Sequence, residues 1–304
     1  MKKVLLIISF LSLFFLLTAC QTHNNSVKEE VVEQVAPQEQ KRLMHMGRRH
    51  MQGSRNMDIP ASTGENELNI PPLLESDRVE GDDIYYTVEA QKGETEIFPG
   101  IKTNTLGYNG NFLGPAIRLE EGQNAHFTLK NNLNEDTTFH WHGLIVGGNA
   151  DGGPHDVIRP KEETEISFPV QQSAATLWFH PHPLGNTAKQ VYEGLAGLLL
   201  IENETSADYV YGENDFPLII QDKIFTEDKQ LDYATAYHPN GTFGNTILIN
   251  GTVNPKLTIP KEKVRLRLLN GSNSRAYTFS LSNGASFEQI ASDGGLLNEA
   301  VEKH

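Results

Sequence analysis

Two pairs of histidines constrain this chain more than any other feature: His140-Trp141-His142, and a later echo, His180-Pro181-His182. In an extended strand, residues at i and i+2 point to the same face, roughly 7 Å apart along the backbone. Two such strands side by side would offer four imidazoles to one shared volume. Imidazole suits copper, zinc, iron and nickel, so the ligand type alone does not choose the metal. One His-x-His pair taken alone also fits a solvated strand face. The second pair shifts the reading, because both sit beside aromatic residues (Phe139, Trp178, Phe179) and glycine or proline punctuation. A buried imidazole needs a partner, and four of them converge most easily on a metal ion.

Around these pairs stand several unusual strings in fixed order. His140-Trp141-His142-Gly143 is followed by Asp151-Gly152-Gly153-Pro154, then Trp178-Phe179-His180-Pro181-His182, then Gly194-Leu195-Ala196-Gly197-Leu198. Thr105-Leu106-Gly107-Tyr108-Asn109-Gly110 lies before them and Ile290-Ala291-Ser292-Asp293-Gly294-Gly295 after them. In these strings the chain resembles the amino-terminal part of the multicopper oxidases, and among them the bacterial laccase-like and cuprous (copper-efflux) oxidases. The resemblance implies cupredoxin-like domains, with His140 as a type 2 copper ligand and His142, His180 and His182 as type 3 ligands. It also implies oxidation of Cu(I) or phenolic donors coupled to reduction of dioxygen to water, with a role in copper tolerance. In that family a third domain supplies the type 1 copper, through a cysteine and two histidines, and four further histidines of an eight-histidine trinuclear centre. The 304 residues correspond to about the first three-fifths of the pattern. A truncated second domain, an absent third domain and no dioxygen reduction by this chain alone are the resulting expectations. The alternative is a non-catalytic, lipid-anchored copper-binding protein on the same scaffold.

Composition narrows the partners. A formal charge of −14 and a pI near 5.2 argue against nucleic acid, which calls for a basic face. Cys20 is the one cysteine, so no intrachain disulfide forms and no thiolate is available further along. Met1-Lys2-Lys3 and the apolar run Val4 to Leu17 read as an export signal. At about 14 residues, the run is shorter than the roughly 20 needed to span a bilayer. It ends Leu17-Thr18-Ala19-Cys20, which resembles a bacterial lipobox. Lipidation of Cys20 and an outward-facing membrane lipoprotein follow as expectations. A polar tether comes next, and within it Met44, His45, Met46, His50, Met51 and Met57 are candidates for weak Cu(I) capture by soft sulfur and imidazole. Incidental methionines in a solvated segment, beside the repelling Arg48 and Arg49, are the competing reading.

Short β-rich runs separated by Gly, Pro and Asn fill the rest: Ile84–Val88, Ala125–Leu129, Thr137–His142, Glu165–Val170, Thr176–His180 and Leu195–Ile201, then Phe216–Asp222, Thr246–Asn250, Val264–Leu269, Tyr277–Leu281 and Phe287–Ala291. Asn186–Tyr192 alone has helical character. The pattern predicts an all-β chain of tandem Greek-key β-sandwiches, which the resemblance makes cupredoxin-like. The expected divisions are a signal with lipobox (1–20), a tether (21–80), a first domain (81–203) and a second, truncated domain (204–304). His126, His155 and His238 read as surface residues. The alternating arginines of Val264-Arg265-Leu266-Arg267-Leu268 read as a strand with an inward and an outward face.

Overall fold

The computed structural model describes residues 59–204, 208–238, 241–260 and 263–304. Cys20 and the methionine and histidine cluster from Met44 to Met57 lie outside the described residues.

Alternation in the sequence becomes alternation in space at the strand that starts at Asp83. Ile84, Tyr86, Val88 and Ala90 are buried, whereas Tyr85, Thr87 and Glu89 are partly exposed, as the period of two demands. In chain order the strands are β1 (Asn66–Glu67), β2 (Arg78–Glu80), β3 (Asp83–Phe98), β4 (Ile101–Tyr108), β5 (Ile117–Glu120), β6 (Asn124–Asn131), β7 (His140–His142), β8 (Glu163–Pro169), β9 (Ala175–His180) and β10 (Gly197–Glu202). They continue with β11 (Asp215–Lys223), β12 (Tyr237–His238), β13 (Gly241–Thr242), β14 (Thr246–Ile249), β15 (Thr252–Val253), β16 (Pro255–Lys256), β17 (Arg265–Asn270), β18 (Phe287–Ser292) and β19 (Gly295–Lys303). Among the described residues, two short helices, α1 (Thr187–Glu193) and α2 (Tyr233–Ala236), interrupt them.

The strands build three main sheets. One runs β2-β3-β6-β8 with β4 paired to β3, the second β5-β10-β9-β7, and the third β15-β14-β11-β17. The first and second enclose an aromatic core in which Phe127 meets Trp141 (ring centroids 4.6 Å apart) and Trp141 meets Phe179 (5.7 Å). Trp141 is fully buried, and a side chain of that size contributes roughly 4–6 kcal/mol of gross apolar transfer energy. Gly197 makes this packing possible, because a Cβ there would stand 2.3 Å from the Phe179 ring.

Strand β10 explains its own composition. Leu199 and Ile201 face the aromatic core, while Leu198 and Leu200 join Leu113, Ala116 and Ile219 in a second cluster on the opposite side. A strand buried on both faces reads as a continuous apolar run, which is why Leu198-Leu199-Leu200-Ile201 shows no alternation.

Three expectations need correction. The strand expected over Thr137–His142 is confined to His140–His142, and Thr137 instead makes an isolated bridge to Ile158. Tyr277–Leu281 forms no strand: Phe279 and Leu281 are about two-fifths exposed, and the Tyr277 hydroxyl bonds Ser272 rather than a strand register. The stretch assigned to the tether through residue 80 ends in β1, which pairs in parallel with β16, and β2, which pairs with β3. The inward and outward faces read for β17 are present, with the arginines taking the inner one. Arg265 and Arg267 turn inward onto the buried Asp215, and Leu266 and Leu268 are exposed.

Candidate metal centre

Pairing of β7 with β9 assembles the site. His140 lies directly across from His180, Trp141 from Phe179 and His142 from Trp178. Because Trp141 and Phe179 fill the aromatic core, their neighbours His140, His142 and His180 must take the opposite face. His182 sits just beyond the end of β9, where its backbone N–H donates to Thr138 Oγ1 (2.8 Å). The ring centroids of His140 and His180 are 5.2 Å apart, those of His140 and His182 5.2 Å, and those of His142 and His180 5.6 Å. One ligand-capable nitrogen from each of His140, His142 and His180 lies within 4.8 Å of the others. All four predicted histidines are thus brought together.

Hydrogen bonds orient the rings. His140 Nδ1–H donates to the Asp151 carbonyl (2.9 Å), and His180 Nδ1–H donates to the Pro181 carbonyl (2.8 Å). Both rings therefore keep Nε2 unprotonated and available as a ligand. Pro181 contributes its carbonyl as well as its stiffness. His142 differs: its Nδ1 faces His180 Nε2 at 3.4 Å. Two imidazole nitrogens at that separation can each lie about 2.0 Å from one ion, a normal metal–imidazole bond length. Burial pushes His180 down to about 3, with a smaller opposing effect from the Pro181 hydrogen bond and further lowering by His140, His142 and His182. His180 is consequently neutral at neutral pH, as a ligand must be. Four imidazoles with no thiolate among them form a donor set that copper accepts well.

The surrounding loops are fixed by contacts with little sequence signal. Asp151 precedes Gly152, whose φ is +71° and whose Cβ would stand 1.8 Å from the Phe139 carbonyl oxygen. The Asp-Gly-Gly-Pro string is thus a close approach as well as a turn. The Asp151 carboxylate also comes within 3.4 Å of His140 Nδ1. In α1, which the sequence marks only as a helical turn, buried Gln190 accepts from Thr137 Oγ1 (2.9 Å) and donates to the Asp136 carbonyl (2.8 Å), anchoring the chain that enters β7. Gln172, also buried, accepts from the Ile145 N–H (2.9 Å) and donates to the Gly143 carbonyl (3.0 Å) directly after the first histidine pair. Single buried amides of this kind carry no motif. The rim is apolar and open: Ile145 is 68% and Leu184 92% exposed.

His126 does not join the centre. It stacks on Tyr85 (4.4 Å) and bonds Asp83 (2.7 Å) on the outer face of the first sheet. His155 is exposed in its loop and His238 is in β12.

The sequence-family model for multicopper oxidases matches residues 89–206, which contain all four histidines. The chain is 54% identical over 244 residues to a multicopper oxidase of Staphylococcus haemolyticus. The chain belongs to the multicopper oxidase family. That alignment takes in 80% of this chain and 54% of the relative, so the chain spans about half the relative's length. A crystal structure of a laccase from Pediococcus acidilactici superposes with a TM-score of 0.76 at 50% identity, over 81% of this chain and 54% of that one. The all-β architecture is accordingly the cupredoxin-like one of multicopper oxidases. The chain is also 37% identical, over 253 residues, to the cell division protein FtsP of Escherichia coli, over 82% of this chain and 53% of that protein.

Proposed function

We propose that His140, His142, His180 and His182 supply one half of a copper centre that oxidises Cu(I) or phenolic donors at the expense of dioxygen, with a role in copper tolerance. The observation that carries this reading is the convergence of four imidazoles, with the Nδ1 protons of His140 and His180 committed to backbone carbonyls. By resemblance, His140 is the type 2 ligand and the other three are type 3 ligands. Copper, when bound, supplies the one-electron redox chemistry. The chain's residues hold and orient it. The Asp151 and Pro181 carbonyls fix ring tautomers, β7 and β9 set the spacing, and the Trp141–Phe179 core keeps water from the inner side of the ligand strands.

Four of the family's eight trinuclear histidines lie in these residues, so full activity requires the other four and a type 1 site. The test loads the 304-residue chain with copper and measures bound metal and oxygen uptake with Cu(I) or a phenol, alone and with a separately made third domain of a relative. Copper binding that disappears in His140→Ala and His180→Ala, with uptake only in the complemented sample, is expected. Robust uptake by the chain alone in the absence of a blue centre would overturn the assigned roles.

A second reading, a copper-binding protein without turnover, is favoured by the relationship to a protein named for cell division. Copper binding with no uptake in the complemented sample would select it. Two further proposals concern the amino-terminal residues. Cys20 is lipidated after signal cleavage, holding an exported chain at the membrane, and mass spectrometry of membrane fractions should find a modified Cys20 at the mature terminus. Met44, Met46, Met51 and Met57 capture Cu(I), and calorimetry should lose its heat when all four become Leu.

A further inference from the structure

A helix leaves its last four carbonyls without partners inside the helix. At the end of α1, β11 supplies two of the missing donors. The Val191 carbonyl accepts from Gln221 Nε2 (3.3 Å), and the Tyr192 carbonyl accepts from Lys223 Nζ. Tyr192 returns the contact, since its hydroxyl accepts from the Ile224 N–H (2.6 Å) and donates to the Ile224 carbonyl (3.3 Å). The same helix carries Gln190, which holds Thr137 and Asp136 at the entry to β7. Helix α1 is therefore a joint between β11 and the first ligand strand.

Lys223 is the unusual member of this joint. It is 1% exposed, and its amine lies 4.4 Å from the centre of the Tyr192 ring. Among the described residues, the Tyr192 carbonyl is its one hydrogen-bond acceptor and no carboxylate pairs with it. The acidic groups that face it are committed elsewhere. Asp222, beside it on β11, accepts from Arg275 Nε (2.8 Å) and the Gly244 N–H (2.8 Å), and Glu193, on α1, pairs with Lys189 (3.7 Å). Lys189 also reaches Glu135 (3.3 Å), and Tyr233 of α2 packs on Tyr192 (ring centroids 5.2 Å apart). An ammonium in this place would bring three donors to one acceptor, with no water to take the others, whereas a neutral amine loses far less. Burial accordingly lowers Lys223 to about 7, against smaller opposing effects of Asp222 and Glu193. We propose that Lys223 is a proton-operated clasp: its neutral amine holds the last turn of α1 on β11, and proton uptake from water favours a state in which that turn lifts away and the ammonium is hydrated. Gln190 moves with α1, so the clasp acts on the chain that enters the strand of His140 and His142. Once open, the amine returns to the ordinary lysine value of 10.5. Between that value and about 7 the open state binds a proton that the closed state refuses, so the clasp tightens as pH rises through this window and is loosest below it.

The test needs no metal and so stands apart from the copper reading. Hydrogen exchange of the metal-free 304-residue chain is followed by NMR from about pH 6 to 9, with the intrinsic exchange rates divided out. Protection of the Gly194 and Leu195 N–H groups, which bond the Gln190 carbonyl (3.2 and 3.0 Å), should rise about tenfold per pH unit above pH 7 and stay level below it. These amides should exchange ahead of those in the β3–β6 pair, the mark of local rather than global opening. In Lys223→Met, which keeps the apolar stem and loses the proton, protection should be level throughout. A second measurement uses 13C-labelled lysine: the Cε signal of Lys223, assigned through its own backbone amide, should titrate near 7 in the wild type. If Lys223→Met fails to fold, the wild-type slope and this titration decide. Level protection in the wild type above pH 7, an equal slope in Lys223→Met, one protection factor shared by α1 and the β3–β6 pair, or a Cε titration at the ordinary lysine value would each overturn the inference.

Discussion

His180 shows how one side chain couples the centre to the stability of the fold. Its folded-state value is depressed to about 3 from an ordinary 6.5. Above pH 6.5 the ring is neutral whether the chain is folded or not, and its burial carries no proton penalty. Between 6.5 and 3 the unfolded chain takes up a proton that the folded chain refuses, so stability falls by up to about 1.4 kcal/mol per pH unit from this group. Denaturant unfolding of the metal-free chain at stepped pH should show that slope, and His180→Asn should flatten it. An equally steep slope in the variant would place the acid sensitivity elsewhere. Gly152 yields a second prediction. With φ at +71° and no room for a Cβ beside the Phe139 carbonyl, Gly152→Ala must push the Asp151 loop off His140. A loss of about 1–3 kcal/mol, with weakened copper binding, should appear in paired unfolding and metal-competition measurements.

Strand β17 is where reading by hydropathy fails most clearly. Asp215, fully buried, accepts from Arg265 (Nη2–Oδ2, 2.6 Å) and Arg267 (2.8 Å), and Arg267 goes on to Glu202 (3.0 Å) and Thr176 (2.8 Å). Burial alone would raise the Asp215 carboxyl, but the two guanidinium groups hold it below its ordinary value. Asp215→Ala should cost about 3–5 kcal/mol, because it removes the buried carboxylate between two poorly solvated guanidinium groups and leaves them to share Glu202 alone. Chemical denaturation giving less than about 1 kcal/mol would show that water reaches them. The sequence displayed the alternation of Arg265 and Arg267 without revealing which face was buried, since the deciding partner lies 50 residues earlier. The His-x-His strands were legible for the opposite reason: their ligands and core aromatics alternate within a few adjacent residues. Gln172 and Gln190 were not legible, because a lone amide acquires meaning only from backbone carbonyls that the fold brings to it.

For the molecule as a whole, metal binding and folding draw on the same residues, so copper should stabilise what it occupies. At free copper 100 times the dissociation constant the gain is about 2.7 kcal/mol. Thermal unfolding should move upward with copper and return on chelation, and His140→Ala with His180→Ala should abolish the shift. The formal charge of −14 should also make cation capture faster at low ionic strength. The pairing of β1 with β16 has a different kind of consequence. Asn66 bonds the Val253 carbonyl across 187 residues, Asn250 bonds the Asn69 carbonyl, and Tyr211 bonds the Pro71 carbonyl. A ribosome adding roughly 5–20 residues per second needs about ten to forty seconds to deliver that partner after Asn66 is made. For that interval the early arm has emerged while the strand that receives it does not yet exist, so its docking belongs among the last steps of maturation.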